Sequence, residues 1–536
     1  MEDANPDVST VAESQTGETS LATEKRKRHF GPRMVFCIII IMMGSLSYSY
    51  SAGVIGTTIG QPSFYRYMGL DQSPHSTALL GACSSLYYTG GVFGSFFSNF
   101  VGDRWGRKIS IYTGAIIVIV SAALCAGSVN IAMFIVFRFT SGFGAFMLLM
   151  SVPLWIIEVV PPEVRGAFAQ CHSVAVSMGY LISGYVGVGF FLDLPINSIS
   201  AWRGPQAIGV LPPIILLSGL WWIPESPRYL LMKGRVASAR KIVRSLHSAP
   251  GDTEHRFAEI ELFQMTKQIE LDRTLPSSWL DMFRRPSFRK RMWMTVFIGF
   301  AVLSSGNLAI SIYATVLLSN LGFDSTKQLL IQSGFFAAVM PGLFASIFFT
   351  DHLRRPSMVG GGLFVMVVVL SCYTAVTASF LDVASNKSAQ IAGVALIYIF
   401  EVFSAALVEG PLAYWAAEFY PTHLRAKGAT LQTVTYACVS IMWSQSSSTA
   451  IANLGWKFFL IFICITVVTG NVIFWYFPDT QGKSLEEVAL LFGDDDLVVL
   501  LQEDIHIDAS HHITGKLHLN GEGKTIVETV EDVQHV

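Results

Sequence analysis

Twelve apolar runs, each long enough to cross a bilayer, decide what this chain can fold into. They fall at roughly 34–59, 76–101, 109–128, 131–159, 168–192, 205–223, 292–317, 328–350, 358–380, 391–415, 429–452 and 455–477. A hydrocarbon core about 30 Å thick takes about 20 apolar residues per helix, and no backbone amide can go unbonded in lipid, so each run is predicted as a spanning helix. The composition agrees: 52% of the 536 residues are hydrophobic and 14% charged, against about 25% charged in soluble domains. The expected fold class is an all-α membrane protein.

The charges orient the helices. Residues 1–33 are polar and close on Lys25, Arg26, Lys27, Arg28 and Arg33, without the apolar stretch of a cleavable leader. They read as a cytosolic tail, which puts the even-numbered loops and the C-terminal tail, 478–536, in the cytosol as well. The loops then assigned outside hold only Arg66, Arg203, Lys327, Lys387 and Lys457, as the positive-inside rule expects. The sequon Asn386-Lys387-Ser388 falls in one of those outer loops, which makes Asn386 a candidate N-glycosylation site. Cys37, Cys83, Cys125, Cys171, Cys372, Cys438 and Cys464 all lie within apolar runs without a CxxC pair and read as helix filler.

The chain divides into six runs (34–223), a long loop (224–291) and six runs (292–477). In the loop, SARKIVRSL and FAEIELFQMTKQIEL carry apolar residues at helical spacing, predicting a small cytosolic helical unit. The tail opens with LEEVALLFGDDDLVVLL and turns polar and His-rich, predicting a short helix followed by disorder. The halves repeat. GDRWGRK at 102–108 follows the second run and DHLRRP at 351–356 the eighth. Glu158-x-x-Pro161-x-x-x-Arg165 follows the fourth, and Glu418-x-x-Pro421-x-x-x-Arg425 the tenth. PESPR at 224–228 follows the sixth, and PDTQGK at 478–483 the twelfth. Three matched sites, each offset by six helices, indicate a duplicated six-helix unit.

Together these residues resemble the sugar porter family of the major facilitator superfamily, its fungal sugar and polyol transporters included, over nearly all of residues 30–490. Carrying the resemblance are GDRWGRK, Arg138-x-x-x-Gly142-x-Gly144, Pro153-x-Trp155-x-x-Glu158, Arg165-Gly166, PESPRYL at 224–230, Arg425-Ala426-Lys427-Gly428 and PDTQGKSLEE at 478–487. The resemblance implies two pseudo-symmetric halves that rock about a midplane solute site, and a plasma-membrane address. It also implies a cytoplasmic gate that clasps the halves together when the cavity opens outward. Asp103, Arg104, Arg107, Glu158, Arg165, Glu225 and Arg228 match its first-half positions; Asp351, Arg355, Glu418 and Arg425 match the second. Solvated ion pairs are worth about 0 to 1 kcal/mol each, which suits a latch built from several of them. The second copy departs from the family's D-x-x-G-R-R at Arg354 and Pro356.

The pocket positions depart further. Where proton symporters of the family carry an Asp in the first helix, this chain has Ser51. It keeps the fourth-helix Arg138, but a serine cannot titrate, which points to a facilitator uncoupled at that position. Glu401 and Glu409 in the tenth run are the competing couplers, about 80° apart on a regular helix, so that one would face the cavity and the other a neighbour. The family's ring-binding Gln of the fifth helix corresponds to Ser173, preceded by His172. The seventh-helix Q-Q-x-x-G-x-N reads Val302-Leu303-Ser304-Ser305-Gly306-Asn307-Leu308. The stacking Trp is Ala413 or Tyr414, depending on the count, and the eleventh-helix Asn is Ser440. Hexose recognition relies on amides and an indole, so the candidate pocket of Ser51, Arg138, His172, Ser173, Tyr180, Asn307, Tyr414, Tyr436 and Ser440 suits a less polar or differently shaped solute.

No phosphate-binding loop, nucleophile elbow or metal-ligand spacing occurs in the sequence. Neither an enzyme nor an ATP-driven pump is expected, nor any cofactor, metal or nucleic-acid partner. The expected partners are a small solute (a sugar, a polyol or another small metabolite) and the lipid bilayer. The competing reading, a non-transporting nutrient sensor of the same fold, would have only short tails to signal with.

Overall fold

The computed structural model describes residues 31–160, 165–195, 197–247, 255–275, 278–350, 352–380, 386–481, 488, 490–494, 505–507, 513–519 and 524–529. Twelve transmembrane helices account for the apolar runs. The first six are Pro32–Ile59, Ser76–Trp105, Arg107–Ala126, Ile131–Val159, Arg165–Asp193 and a sixth in two pieces, Ser200–Ile208 and Leu211–Leu220. The seventh is also broken, into Pro286–Leu303 and Asn307–Asn320. Then come Ser325–Thr350, Arg355–Phe380, a tenth that begins at Lys387 and ends at Glu418, Arg425–Leu454 and Phe458–Tyr476.

Among the described residues, nine of these helices are long and apolar enough to span by themselves. The second and eleventh fall short because small and polar residues replace large apolar ones along them, and in lipid it is small residues that let helix backbones close on each other. A Cβ added at Gly90 would sit 2.0 Å from the Phe139 carbonyl oxygen, and one at Gly142 would sit 1.8 Å from that of Tyr87. The second and fourth helices therefore touch backbone to backbone. The second helix packs across the seam on the eleventh, and the fifth on the eighth, joining the halves.

On the cytosolic side the long loop folds into helices Pro227–Met232, Val236–His247, Arg256–Thr274 and Trp279–Arg284. Leu230, Ala239, Val243, Leu262, Met265 and Ile269 bury one another in a cluster separate from the main core. His247 pins this unit to the fourth helix: Nε2 donates to the Val159 carbonyl at 2.7 Å, and Nδ1 lies 2.5 Å from Glu261 Oε2.

The C-terminal tail differs from its sequence reading. Residues 484–487 of the expected helix lie outside the described residues, although Val488, Leu490 and Leu491 are helical. Where disorder was expected, β1 (Ile505–Ile507), β2 (Ile513–Leu519) and β3 (Lys524–Thr529) pair antiparallel in the order β1-β2-β3. The overlooked signal was Asn520-Gly521 between two alternating segments, a strong local hairpin cue.

Candidate functional site

The charged knot after the second helix closes on one arginine. Arg107, buried to 5% exposure of its side chain, lies 3.1 Å from Glu158 Oε1 through Nη2 and 2.9 Å from Asp103 Oδ1 through Nη1. Its Nη1 also donates to the Gly102 carbonyl at 2.6 Å. Among the described residues Glu225 makes no ion pair; it accepts from the backbone N–H groups of Arg107 (3.1 Å), Lys108 (3.3 Å) and Ser226 (2.9 Å). It thereby caps the third helix, where four amides would otherwise lack partners and negative charge is favoured. Burial pushes the Glu225 carboxyl up, while those amides and Arg107 pull it back. Gly106, at φ +111°, makes room: a Cβ there would meet Glu225 Oε2 at 2.3 Å.

The second half repeats the arrangement with altered parts. Asp479 Oδ1 accepts from the Arg355 N–H at 3.1 Å, as Glu225 does from Arg107, and its Oδ2 accepts from Arg354 Nε at 3.1 Å. Arg355 Nη2 lies 3.6 Å from Glu418 Oε1, and the Thr480 hydroxyl donates to Glu418 at 2.5 Å. Burial raises the Glu418 carboxyl, opposed by Arg355, Thr480 and the nearby Arg425.

Each of these pairs joins helices of one half. Across the seam, burial pushes the Lys427 ammonium down while Asp103 of the first half pulls it back up, and the Thr430 hydroxyl reaches Met150 Sδ at 3.6 Å. Arg104 is exposed, with its guanidinium 5.8 Å from the Trp105 ring. Arg228 is half-buried, its Nε without a hydrogen-bond partner among the described residues. Asp351 and the side chains of Arg165 and Tyr414 lie outside the described residues.

At mid-membrane Ser51 and Arg138 meet. The Ser51 hydroxyl is 2.7 Å from that of Ser141, and Arg138 Nη1 donates to the Ser51 carbonyl at 2.7 Å. Arg138 Nε donates to the Cys83 carbonyl at 3.2 Å, and the guanidinium lies 4.3 Å from the Tyr87 ring centroid. Two carbonyls and a ring face thus surround a fully buried cation, where a carboxylate would otherwise be the natural partner. His172 is buried, with Nδ1 2.7 Å from the Ser45 hydroxyl, while Ser173 is half-buried on the same helix.

Sequence reasoning found Tyr180 and Tyr436 but missed their company. Tyr180 stacks on Phe336 across the seam at 5.5 Å, and Tyr436 of the second half packs on Tyr88 and Phe146 of the first. Tyr48 lies edge-on to Phe146 at 5.4 Å, and Tyr87 to Tyr88 at 5.5 Å. The phenols of Tyr48, Tyr180 and Tyr436 lie close enough to influence one another electrostatically. Five phenol side chains therefore occupy the seam. The available signal was Tyr48 and Tyr50 just ahead of Ser51 in the first helix, and the Tyr87-Tyr88 pair.

The second half contributes two interrupted helices. Gly306, at φ +99°, breaks the seventh, and Asn307 opens its second piece. Asn307 Nδ2 donates to Glu409 and, at 2.9 Å, to the Ser404 hydroxyl; its Oδ1 accepts from Ser311 at 2.9 Å. Ser440 is buried, its hydroxyl without a partner among the described residues. The tenth helix widens into a π turn over Ala405–Glu409. Such a turn absorbs one residue, so Glu401 and Glu409 are offset by about 20° instead of the 80° of a regular helix. This corrects the expectation that they face different ways: the two carboxyls are close enough to act on each other electrostatically. Glu401 is 3% exposed, and its Oε2 has no hydrogen-bond partner among the described residues.

Residues 36–492 match the family profile described as sugar (and other) transporter. The MFS-type transporter criB of Aspergillus cristatus is 29% identical over 463 residues, covering 85% of this chain and 93% of its own. The high-affinity glucose transporter of Kluyveromyces lactis is 25% identical, with 85% and 84% covered. H(+)/hexose cotransporter 2 of Parachlorella kessleri is 27% identical, with 84% and 85% covered. Among solved structures, the proton:xylose symporter XylE bound to 6-bromo-6-deoxy-D-glucose matches with a TM-score of 0.72 at 20% identity, over 85% of this chain and 98% of its own, a likeness of fold.

Proposed function

The chain belongs to the sugar (and other) transporter family, a multi-pass membrane transporter of the sugar porter type, and from that premise we propose how its own residues act. The two halves rock about the seam by alternating access, moving a small solute past the tyrosine cluster. The observation that carries this reading is that polar and aromatic groups of both halves converge there: Tyr48, Tyr180, Ser51 and Arg138 from the first, Tyr436 and Asn307 from the second. The solute is a sugar, a polyol or another small metabolite. Relatives named as glucose and hexose carriers support the first of these. The scarcity of amides and the surplus of phenols support a solute that presents faces to stack as well as hydroxyls to bond.

The clusters around Arg107 and Arg355 brace the cytosolic helix ends as rigid units, and the seam closes between them as Lys427 approaches Asp103. Coupling does not pass through Ser51. Both tails face the cytosol and the plasma membrane is the address. Asn386 is the glycan acceptor; its Oδ1 caps the tenth helix by accepting from Ser388 and Ala389 N–H, leaving the amide nitrogen as the atom a glycan would take.

Uptake of labelled glucose, fructose, xylose and a polyol tests the reading in cells stripped of their own sugar carriers. Saturable uptake that requires this protein is the expected result. Surface expression with no uptake of any of the four would exclude simple sugars and polyols and favour the sensor reading.

A further inference from the structure

We propose that Glu401 and Glu409 form a proton site in the tenth helix, in which Glu401 keeps a proton and Glu409 exchanges a second one, coupling solute movement to a proton gradient in place of the acid missing at position 51. The coupling rests on the transporter reading above; the site itself rests on geometry. Both side chains lie deep in one helix, and the π turn over Ala405–Glu409 brings them toward a common face. A single ionised carboxylate at a helix centre is costly to hold in the membrane. A second ionised carboxylate about two turns along the same face, with no described cation beside either, adds repulsion, so at least one of the two keeps a proton.

No described cation lies alongside them. On the packed helices, Lys327, Arg355, Arg425 and Lys427 stand in terminal turns, and Arg289, Lys290 and Arg291 stand near the cytosolic start of the seventh. The buried and half-buried titratable groups carried by the neighbouring helices are phenols and an imidazole, Tyr313 on the seventh, Tyr373 on the ninth, Tyr436 on the eleventh, and His172 and Tyr180 on the fifth, whereas Cys372 and Cys438 are exposed. Of these, Tyr436 interacts electrostatically with Glu409. The neighbours also divide the roles. Glu409 accepts from Asn307 and Ser404, donors that favour an ionised carboxylate, whereas Glu401 Oε2 has no donor among the described residues. The proton therefore resides on Glu401 and the charge on Glu409.

Asn307 supplies the link to the cycle, because it opens the second piece of a helix broken at Gly306 and joins that helix to Glu409. When the seventh helix tilts and withdraws Asn307, Glu409 loses its donor. An O–H bond then forms on it with a proton taken from water on the open side. When Asn307 returns, the proton leaves to the other side.

The test uses the full chain in lipid vesicles, with two readouts. Infrared spectroscopy at neutral pH should show the carbonyl stretch of a protonated carboxylic acid, shifted in deuterated water, lost in Glu401→Gln and retained in Glu409→Gln. Separately, an inside-alkaline gradient of about one pH unit should concentrate labelled glucose or xylitol by up to about tenfold at one proton per solute, and Glu409→Gln should abolish the accumulation. Absence of the band, or a band indifferent to Glu401→Gln, overturns the site. Probe flux that ignores the gradient overturns the coupling. No flux of either probe with the band in place counts against the transporter reading and leaves the proton site standing.

Discussion

At the third helix the chain turns through Gly106, and Glu225 presses into the space a Cβ would need; at the ninth, Arg354 stands at the matching position and the shorter Asp479 reaches the helix start. His255 is the non-glycine with positive φ among the described residues, so Arg354 makes its turn without the left-handed backbone of Gly106. A glutamate needs the glycine beside it, while an aspartate, one methylene shorter, leaves room for a side chain. Glu225 also takes the Lys108 N–H; Pro356 has none to offer, but proline is well placed at the start of a helix, where that donor would be an orphan. The second copy is thus a different solution to the same capping problem, less buried and held together by longer contacts.

The burial difference gives the largest expected effect. Arg107 and Glu158 side chains are 5% and 9% exposed, whereas Glu418 opposite Arg355 is 29% exposed. Arg107→Ala strands a buried carboxylate and should cost about 3–5 kcal/mol. Arg355→Ala should cost about 1–2 kcal/mol, between the buried and surface limits. Thermal unfolding of both variants in the same detergent measures the difference, and equal losses would erase the distinction between the halves.

The glycine supplies the next effect. Gly106→Ala places a Cβ against Glu225 at φ +111°, where strain alone costs about 1–3 kcal/mol, and it displaces the helix cap as well. At the matching position, Arg354→Ala removes a 3.1 Å pair whose arginine is 73% exposed, worth about 0–1 kcal/mol. If the two variants melt together, Gly106 is not what the first-half turn depends on.

The sequence displays this duplication openly, since motif spacing survives divergence; what it hides is distance in space. The apolar runs are legible because lipid demands long uninterrupted helices. Arg107 with Glu158 is legible as a motif but not as a contact across a separation of 51 residues. The π turn leaves no trace in a run where every neighbour is apolar, so the phase between Glu401 and Glu409 was misread. Tyr48, Tyr87 and Tyr88 were passed over because aromatic residues are also common at lipid and packing surfaces, and only the crossing of helices brings these three to Tyr180 and Tyr436.

The smallest effect is a slope with pH, and it asks whether the two clusters are electrostatic equivalents despite their different shapes. Burial raises the carboxyls of Glu225 and Glu418 above the ordinary glutamate value, about 4.3, and the partners of each pull it part of the way back. A carboxyl raised on folding binds its proton more tightly folded than unfolded. Stability therefore falls as pH rises from the unfolded value through the raised one, and the full cost of burying the charge is present above that window. The opposing donors and arginines cancel part of this cost, which keeps the slope shallow. Glu225→Gln and Glu418→Gln each remove one titrating group, so unfolding followed from about pH 4 to 7 should lose part of its slope in either variant and more in the double variant, while the protonated Glu401 keeps a residual slope in all of them. A slope untouched by Glu225→Gln but flattened by Glu418→Gln would mean that the backbone amides compensate the first-half carboxylate fully, and that the arginine in the second half does not.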